Sequence, residues 1–403
     1  MPRRNLFNDE LLATPGLGRP STLRGVGGRA ATAAPGIPFL DLGRVHAELK
    51  DELLDALARL IDSGQFTNGP DVGRFEAEFA RYCGTEHCVG VASGLDGLRL
   101  ALMGLGVGAG NEVIVPSLTF AATAEAVTQV GATPVFADVR EDDYGLDPQA
   151  AAAAITTRTR AIIPVHLYGQ VADMQSFEDL AAREDLLLVE DACQAHGARR
   201  DGRSAGAIGT AGAFSFYPGK NLGAMGDAGA VVTGDAALVA TLRALREHGQ
   251  RRKYEHELEG YTARLDTLQA TVLLLKLAHL DAWNDARAVA AAWYSDALAE
   301  VGDLRLPVIA AESEPAWHLY VVRTGDPGRL SHFLRERGIG TGRHYPQPLH
   351  LAPAYERLGY QAGAFPISEA VAAEALSLPL FPGITQDELA RVAGAIREYF
   401  DGG

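Results

Sequence analysis

Lys220 is the residue best placed to do covalent chemistry. The sequence has only four lysines among 36 basic residues, and Lys50, Lys253 and Lys276 lie in charged, polar or helical surroundings. We expect those three to be solvated or to extend their amines to the surface. Lys220 follows an apolar run and has glycine neighbours, which favours a cleft where a partly desolvated amine can attack a carbonyl group. From its position alone, an ordinary loop lysine remains the alternative.

The apolar segment LLLVEDACQAHGA carries a candidate carboxylate. It ends in Glu190 and Asp191, which places an acid at the carboxyl edge of a parallel sheet, where open α/β folds bind ligands. Asp191 could equally cap the following helix. However, it precedes Lys220 by one strand-sized unit, and pyridoxal phosphate chemistry needs this pair. The lysine holds the aldehyde, and the carboxylate keeps the pyridine nitrogen protonated.

A third segment, VASGLDGLRLAL, could bind a phosphate group. A strand leads through Ser93 and Gly94 into a helix, whose free N–H groups and dipole suit an anion. The segment is neither a Walker loop nor a complete GxGxxG motif, so the signal is weak alone. Its place ahead of Asp191 and Lys220 strengthens it.

The elements around these residues follow the rhythm of an α/β protein. Strands are predicted at 88–92, 112–115, 134–137, 161–165 and 186–189, with helices at 96–103 and 121–130. The alternation predicts a mostly parallel sheet flanked by helices. Beyond this sheet, helices are predicted at 40–60, 266–283 and 331–337, a strand at 319–322, and a terminal helix at 385–400 with a Thr385–Glu388 capping box.

Length and composition bound the class of protein. With 403 residues and 47% apolar content, we expect a flexible N-terminal arm at 1–36, a large domain at 37–284 and a smaller C-terminal α/β domain at 285–403. The net charge of -15 argues against nucleic-acid or anionic-membrane partners. The three cysteines indicate neither a metal site nor a disulfide framework, and no signal peptide or membrane span is evident, so a cytoplasmic location is expected.

Several longer segments resemble one enzyme family. They are VPSLTFAATAEAVTQVGATPVFADV, IIPVHLYGQVADM, VEDACQAHGA, FSFYPGKNLGAMGDAGAVVT, REHGQRRKYEH and GIGTGRHYPQPLHLAPAYERLGY. Together they resemble the DegT/StrS sugar aminotransferases, which are pyridoxal-phosphate enzymes of fold type I. The match runs from about residue 39 to residue 399, with the segments in the family's order.

The resemblance implies a set of cofactor-binding residues. Lys220 would carry pyridoxal 5'-phosphate as a Schiff base, and Asp191 would pair with the pyridine nitrogen. Gln194 would bind the ring hydroxyl oxygen, and Phe120 would pack on the ring face, although a plain core aromatic is an alternative for Phe120. The phosphate would be bound by Ser93, Gly94, Leu95 and Ser215.

The resemblance also implies where the substrate binds. Tyr217, His344 and Tyr345 fall where relatives contact the sugar or its diphosphate. His166 and His196 lie in matching motifs, and each could equally be a structural histidine.

Two positions depart from the family pattern. Leu95 stands where many relatives have threonine, so a hydroxyl contact to the phosphate is lost. Thr262 stands where relatives often carry an asparagine that reaches the phosphate of the neighbouring subunit, and its shorter side chain weakens that contact. Because Lys220 is intact, the family's dehydratases, which have histidine there, are disfavoured.

The implied function is transamination of a nucleotide-linked 3-keto or 4-keto-6-deoxy sugar in amino-sugar biosynthesis. We expect dTDP as the nucleotide, L-glutamate as the amino donor and a homodimer with shared active sites, with a slight preference for amination at C3. One alternative is a non-catalytic regulator that binds pyridoxal phosphate. Another is a Rossmann dehydrogenase, but its glycine fingerprint and ribose-binding acid are missing.

Overall fold

The fold is organised by a seven-stranded sheet, seen in a computed structural model that describes residues 36–402. Seven strands form this sheet: β1 (His87–Val91), β2 (Glu112–Pro116), β3 (Thr133–Ala137), β4 (Thr159–Ile162), β5 (Leu187–Asp191), β8 (Ala211–Ser215) and β9 (Gly229–Thr233). The remaining described strands form small sheets of two or three strands: β6 (Arg199–Arg200), β7 (Arg203–Ser204), β10 (Gln250–Arg252), β11 (Glu255–His256), β12 (Ser313–Glu314), β13 (Tyr320–Arg323) and β14 (Ala375–Leu378). The large sheet has the order β1-β9-β8-β5-β4-β2-β3. Only β9 runs antiparallel to its neighbours, so the predicted mostly parallel sheet is confirmed.

Helices flank this sheet and continue to the C-terminus. They are α1 (Leu42–Ala47), α2 (Lys50–Ser63), α3 (Pro70–Cys83), α4 (Gly94–Gly104), α5 (Ala121–Gln129), α6 (Pro148–Ala153), α7 (Met174–Glu184), α8 (Ala236–Arg246), α9 (Thr267–Leu277), α10 (Leu280–Leu298), α11 (Pro327–Glu336), α12 (Pro366–Glu374) and α13 (Gln386–Asp401). Short 3-10 turns lie at Leu167–Gly169, Leu349–Leu351 and Pro353–Leu358. Of the helices within residues 36–402, none is long and apolar enough to cross a membrane.

Two apolar cores cover the faces of the sheet. Consecutive strand residues alternate between them: Leu188 and Phe214 belong to one core, whereas Val189 and Ala213 belong to the other. Helices α3, α7 and α9 close the first core, and α4, α5 and α8 close the second. Burial on both faces explains why the central strands are continuous apolar runs rather than alternating ones.

A third core forms toward the C-terminus. Strands β13 and β14 pair antiparallel, and α10, α11 and α13 pack around them through residues such as Tyr294, Leu330 and Ile396. Helix α10 runs through residue 284, so the proposed division into 37–284 and 285–403 falls inside a helix and stays a prediction. The N-terminal arm predicted at 1–36 lies outside the described residues, apart from Gly36.

The structure divides two of the predicted helices. The segment 40–60 becomes α1 and α2, because the chain turns at Leu49, which is buried beside Leu53 and Val272. The segment 266–283 becomes α9 and the start of α10. Helix α9 packs in the first core, whereas α10 contacts that core through Leu280 and then packs in the third core. Apolar periodicity continues across both breaks and does not reveal them. The capping box is confirmed, since the hydroxyl of Thr385 accepts from the N–H of Glu388 at 3.2 Å and the Glu388 carboxylate accepts from the N–H of Thr385 at 2.9 Å.

Candidate active site

The predicted chemical residues meet at the carboxyl ends of two neighbouring strands. Strand β5 ends at Asp191 and β8 ends at Ser215, and the strands pair in parallel with Asp191 opposite Ala213. Helix α4 begins beside them at Gly94. The strand order therefore brings together the carboxylate, the candidate phosphate loop and the turn that carries Lys220, as the sequence predicted.

Asp191 is a buried carboxylate with directed hydrogen bonds. Its Oδ2 accepts from the hydroxyl of Thr123 at 2.7 Å, and its Oδ1 accepts from the N–H of Cys193 at 3.2 Å. The side chain does not cap the helix that follows in the sequence, which was the alternative. Two donors hold the carboxylate in one orientation, as a partner for a protonated ring nitrogen requires.

Lys220 lies on a tightly closed turn after β8. The N–H of Lys220 donates to the carbonyl of Tyr217 at 2.8 Å, and the N–H of Ala224 donates to the carbonyl of Phe216 at 2.7 Å. A side chain at Gly223 would collide with the carbonyl of Pro218, so only glycine fits this closure. Desolvation lowers the pKa of the Lys220 amine, and the negative charge of Asp191 partly opposes that shift. A lowered pKa increases the fraction of neutral, nucleophilic amine.

The start of α4 is shaped for close approach of an anion. A Cβ on Gly94 would lie 2.7 Å from both the Cys193 sulfur and the Ser215 Cβ, so glycine is required there. The Ser93 hydroxyl caps the helix by accepting from the N–H of Asp96 at 3.0 Å. Helix N–H groups and the half-buried Ser215 therefore remain for a phosphate, while the half-buried Leu95 contributes only its backbone.

A polar and aromatic group lies near Asp191. The Oε1 of Gln194 accepts from the N–H of Tyr168 at 2.7 Å, and its Nε2 donates to the Tyr345 hydroxyl at 2.9 Å. The Phe120 ring lies 5.7 Å from the Tyr345 ring and is 56% exposed. Phe120 is thus not a plain core aromatic, and its open face is available for stacking.

Two of the three predicted substrate residues belong to this group, since the rings of His344 and Tyr345 lie 5.7 Å apart. The third, Tyr217, adjoins Lys220, whose N–H donates to its carbonyl. Tyr217 is exposed. The His344 ring stacks on Phe39 at 5.5 Å, and its Nδ1 lies 2.8 Å from the Ser377 hydroxyl. Burial, followed by the charge of Lys220, lowers the pKa of His344 to about 4, so the ring is neutral near pH 7. Burial raises the pKa of Tyr345, which keeps its hydroxyl protonated.

Thr262 does not join this group. Its hydroxyl lies 3.1 Å from the Nε2 of His248, its side chain is exposed, and its backbone bridges to Glu247. Within the part of the chain that the structure describes, its hydroxyl has no hydrogen bond to a predicted cofactor residue.

Glu190, the neighbour of Asp191, has a structural role. Its fully buried carboxylate accepts from the N–H groups of Gly206, Ile208 and Gly209 and from the Nε2 of His166 at 2.6 to 2.8 Å. The N–H of Ala172 donates to the Nδ1 of His166, so Nε2 carries the proton. The structural alternative for His166 is therefore the correct one.

We expect Glu190→Gln to lower the free energy of unfolding by about 3 kcal/mol, because an amide cannot accept all four of these hydrogen bonds. Chemical denaturation would measure the change. The matched variant Glu184→Gln, at an exposed glutamate of α7, should leave stability within about 0.5 kcal/mol of wild type. Equal stability of the two variants would contradict the structural role.

His196 is fully buried, with its ring 5.3 Å from that of Phe214 and 5.6 Å from that of Phe216. Neither ring nitrogen has a hydrogen-bond partner among the described residues. Burial, with a smaller effect of the Lys220 charge, lowers the pKa of His196 to about 3. Its aromatic neighbours and neutral state indicate that it packs as part of the core beneath the turn.

Sequence reasoning missed three residues that support the site. Thr123 holds Asp191, and Asn221 and His318 form a hydrogen-bonded pair next to Lys220, with Asn221 Oδ1 and His318 Nδ1 3.1 Å apart. Asn221 follows Lys220 directly, which was the available signal. Thr123 and His318 come from segments 68 and 98 residues away from Asp191 and Lys220, respectively, and no local pattern marks them.

The residues present fit pyridoxal phosphate. The desolvated Lys220 amine, the oriented Asp191 carboxylate, the close-packed glycine at the start of α4 and the open Phe120 ring match the aldehyde, ring nitrogen, phosphate and ring face of this cofactor.

Known proteins share this architecture along most of the chain. A "dTDP-3-amino-3,4,6-trideoxy-alpha-D-glucose transaminase" from Streptomyces venezuelae is 52% identical over 365 residues, covering 91% of this chain and 96% of that protein. An "Erythromycin biosynthesis sensory transduction protein EryC1" from Saccharopolyspora erythraea is 48% identical, covering 90% and 99%. The crystal structure of S. venezuelae DesV in complex with a ketimine intermediate is 51% identical, with a TM-score of 0.90 and coverage of 91% and 99%.

The family model for the "DegT/DnrJ/EryC1/StrS aminotransferase family" matches residues 47–397. The predicted family, fold type and cofactor are thus confirmed. The chain belongs to this family and is a pyridoxal-phosphate-dependent aminotransferase.

Proposed function

We propose that this aminotransferase converts a dTDP-linked 3-keto-6-deoxy sugar into the 3-amino sugar, with L-glutamate as the amino donor. One observation supports the assignment of the site. The Lys220 amine, with its lowered pKa, lies near the buried Asp191 carboxylate, and exposed aromatic side chains lie close by. The 52% identity to a transaminase named for a dTDP-3-amino sugar supports the substrate class.

When bound, the cofactor supplies an aldehyde for the amino group and a ring that accepts electrons. Asp191 would hold a proton on the ring nitrogen, because its own oxygens are fixed by Thr123 and Cys193. The Gln194 amide nitrogen carries two N–H groups. One donates to the Tyr345 hydroxyl, and the other would donate to the ring hydroxyl oxygen. Ser215 and the start of α4 bind the phosphate.

Lys220 has two tasks in this proposal. Its Nζ would hold the cofactor between turnovers and would accept the proton from the α-carbon of the amino donor. The sugar enters by the same opening and takes the amino group in the reverse sequence of proton movements. Exposed Tyr217 and the neutral His344 and Tyr345 would contact the sugar and its diphosphate, and their exposure and neutral state support this role.

Direct assay of matched substrates tests this function. Purified enzyme would be given L-glutamate with either the 3-keto or the 4-keto form of dTDP-6-deoxyglucose, and amino-sugar formation would be followed by mass spectrometry. We expect faster turnover of the 3-keto form. Faster turnover of the 4-keto form would overturn the assignment to C3. The regulatory alternative predicts that the cofactor binds but neither sugar is aminated.

We expect a homodimer in solution, with active sites shared between subunits. The support is Thr262, whose exposed hydroxyl lies apart from the Lys220 site although its family position serves a phosphate site. Size-exclusion chromatography with light scattering would measure the mass, about twice the 42.7 kDa of one chain. An active monomer would refute the shared site. The cytoplasmic location indicated by the sequence stays a prediction.

A further inference from the structure

His318 lies beside the candidate active site but has no part in the chemistry described so far. Its segment runs along Tyr168 and Gly169: the N–H of Ala316 donates to the carbonyl of Gly169 at 2.9 Å, and the N–H of Leu319 donates to that of Tyr168 at 3.3 Å. A Cβ on Gly169 would lie 2.8 Å from the backbone nitrogen of His318, so the two backbones are in close contact.

The orientation of the Asn221 amide is set by its surroundings. Its Nδ2 lies 2.7 Å from the carbonyl of Ala316 and 2.8 Å from the Oδ1 of Asn284. A backbone carbonyl can only accept, so the nitrogen of Asn221 must face Ala316. The Asn284 amide is oriented in the same way, because its own Nδ2 donates to the carbonyl of His196 at 2.8 Å. The oxygen of Asn221 therefore faces His318.

This orientation determines which nitrogen of His318 carries the proton. The Oδ1 of Asn221 lies 3.1 Å from the Nδ1 of His318 and can only accept, so Nδ1 is the donor. In the neutral ring, Nε2 then has a free lone pair. Among the described residues Nε2 has no hydrogen-bond partner, yet it is not one of the polar atoms closed off from solvent.

Burial keeps the His318 ring neutral. It is the main cause that lowers the pKa of His318, and the positive charges of Lys220 and Arg287 lower it further. The Asn221 amide facing Nδ1 is itself uncharged. His318 therefore presents an acceptor, not a donor, at neutral pH.

We propose that His318 is a positioning residue whose Nε2 accepts a hydrogen bond from the amino nitrogen that is transferred beside Lys220. The proposal rests on the assignment of Lys220 as the cofactor lysine. The reacting nitrogen is that of the amino donor in the first half-reaction. In the second it would be that of pyridoxamine phosphate, which passes to the sugar as the keto oxygen leaves as water. Each nitrogen carries N–H groups, so one neutral acceptor beside Lys220 can orient both.

The test measures the two half-reactions separately from the cofactor absorbance in single turnovers. One starts from the lysine-bound cofactor with L-glutamate, and the other starts from pyridoxamine phosphate enzyme with dTDP-3-keto-6-deoxyglucose. We expect His318→Leu to slow both by about tenfold to a hundredfold, because the reacting nitrogen is misplaced. His318→Gln, which offers an amide oxygen as acceptor, should recover part of the rate. His332→Gln, at an exposed histidine of α11, is the control and should match wild type.

A second variant tests the neutral state through pH. Asn221→Asp places a carboxylate at Nδ1, which raises the pKa of His318 and favours the form protonated on both nitrogens. That form cannot accept at Nε2, so both rate constants should fall as the pH is lowered from about 8 to 6. Wild type should show no such loss over this range. The second oxygen of the new carboxylate would face the acceptors of Ala316 and Asn284. Asn221→Leu, which loses the same hydrogen bonds without adding charge, is therefore the control and should lack this pH dependence, and the thermal unfolding midpoint of both variants reports the damage to packing.

Three results would overturn the proposal. They are a wild-type rate in folded His318→Leu, a loss confined to the sugar half-reaction, and an Asn221→Asp profile that follows wild type. Borohydride reduction and peptide mapping of the wild type separate this outcome from failure of the proposed function. A label on Lys220 with unaffected variants removes only the role of His318, whereas the absence of that label removes the assignment of Lys220.

Discussion

Lys220→Ala is expected to lower turnover by about 10⁴-fold or more and to remove the absorbance band of lysine-bound cofactor. The other lysines cannot replace this amine. Lys50 and Lys253 are exposed, and the amine of Lys276 is engaged with the carbonyl of Gly223 and the Nε2 of His46. Turnover would be measured with L-glutamate and the dTDP-keto sugar, and the band by absorbance before and after borohydride.

Noncovalent binding of the cofactor should survive this change. Ser215, the start of α4 and Asp191 do not depend on the Lys220 side chain, so the variant should still bind pyridoxal phosphate without the covalent bond. Lys50→Ala is the matched control, since it removes an exposed lysine and should leave turnover and absorbance unchanged. A folded Lys220→Ala enzyme that transaminates at the wild-type rate would refute the assignment.

Strand order explains why the centre of the site could be predicted. Asp191 ends β5, and Lys220 follows β8, the neighbouring parallel strand. Carboxyl ends of parallel strands meet at one edge of a sheet, so two residues 29 positions apart could be placed together from the alternation of strands and helices. The helix start at Gly94 reaches the same edge because β1 runs in the same direction as β8, with β9 between them.

Partners that are distant in the chain explain what could not be predicted. Lys276 was expected to extend its amine to the surface, but it is 2% exposed and donates to the carbonyl of Gly223, 53 residues earlier. Burial lowers the pKa of Lys276 to about 8. Glu190 and Asp191 look equivalent as an ED pair, yet successive strand residues face opposite sides, so only Asp191 reaches the site.

Distance along the chain also explains why the Asn221–His318 pair could not be predicted. Asn221 was visible beside Lys220, but its role depends on Ala316 and Asn284, which the fold brings in from two other segments. Hydrogen-bond direction at a backbone carbonyl identifies the proton on His318, and that information exists only in the folded chain. Local patterns thus locate the reacting groups, whereas tertiary contacts determine their protonation.

Asp191→Asn should lower turnover by about 10³-fold while the cofactor remains attached to Lys220. The substitution keeps the shape of the side chain and removes its charge, so the ring nitrogen loses the partner that keeps it protonated. The surroundings make the loss severe. Thr123 and Cys193 both donate to position 191, and an amide has only one accepting oxygen for them.

Two measurements separate this electrostatic effect from a folding defect. Borohydride trapping of the cofactor on Lys220 should stay near wild type, and the thermal unfolding midpoint should fall by only the few degrees that one lost hydrogen bond costs, while the single-turnover rate with L-glutamate falls by the full amount. Asp185→Asn is the matched control: Asp185 is exposed at the end of α7 with a positive φ of 53°, which asparagine tolerates. If Asp191→Asn kept the wild-type rate, the carboxylate would have no role at the ring nitrogen, and its two hydrogen bonds would serve only to close the strand ends.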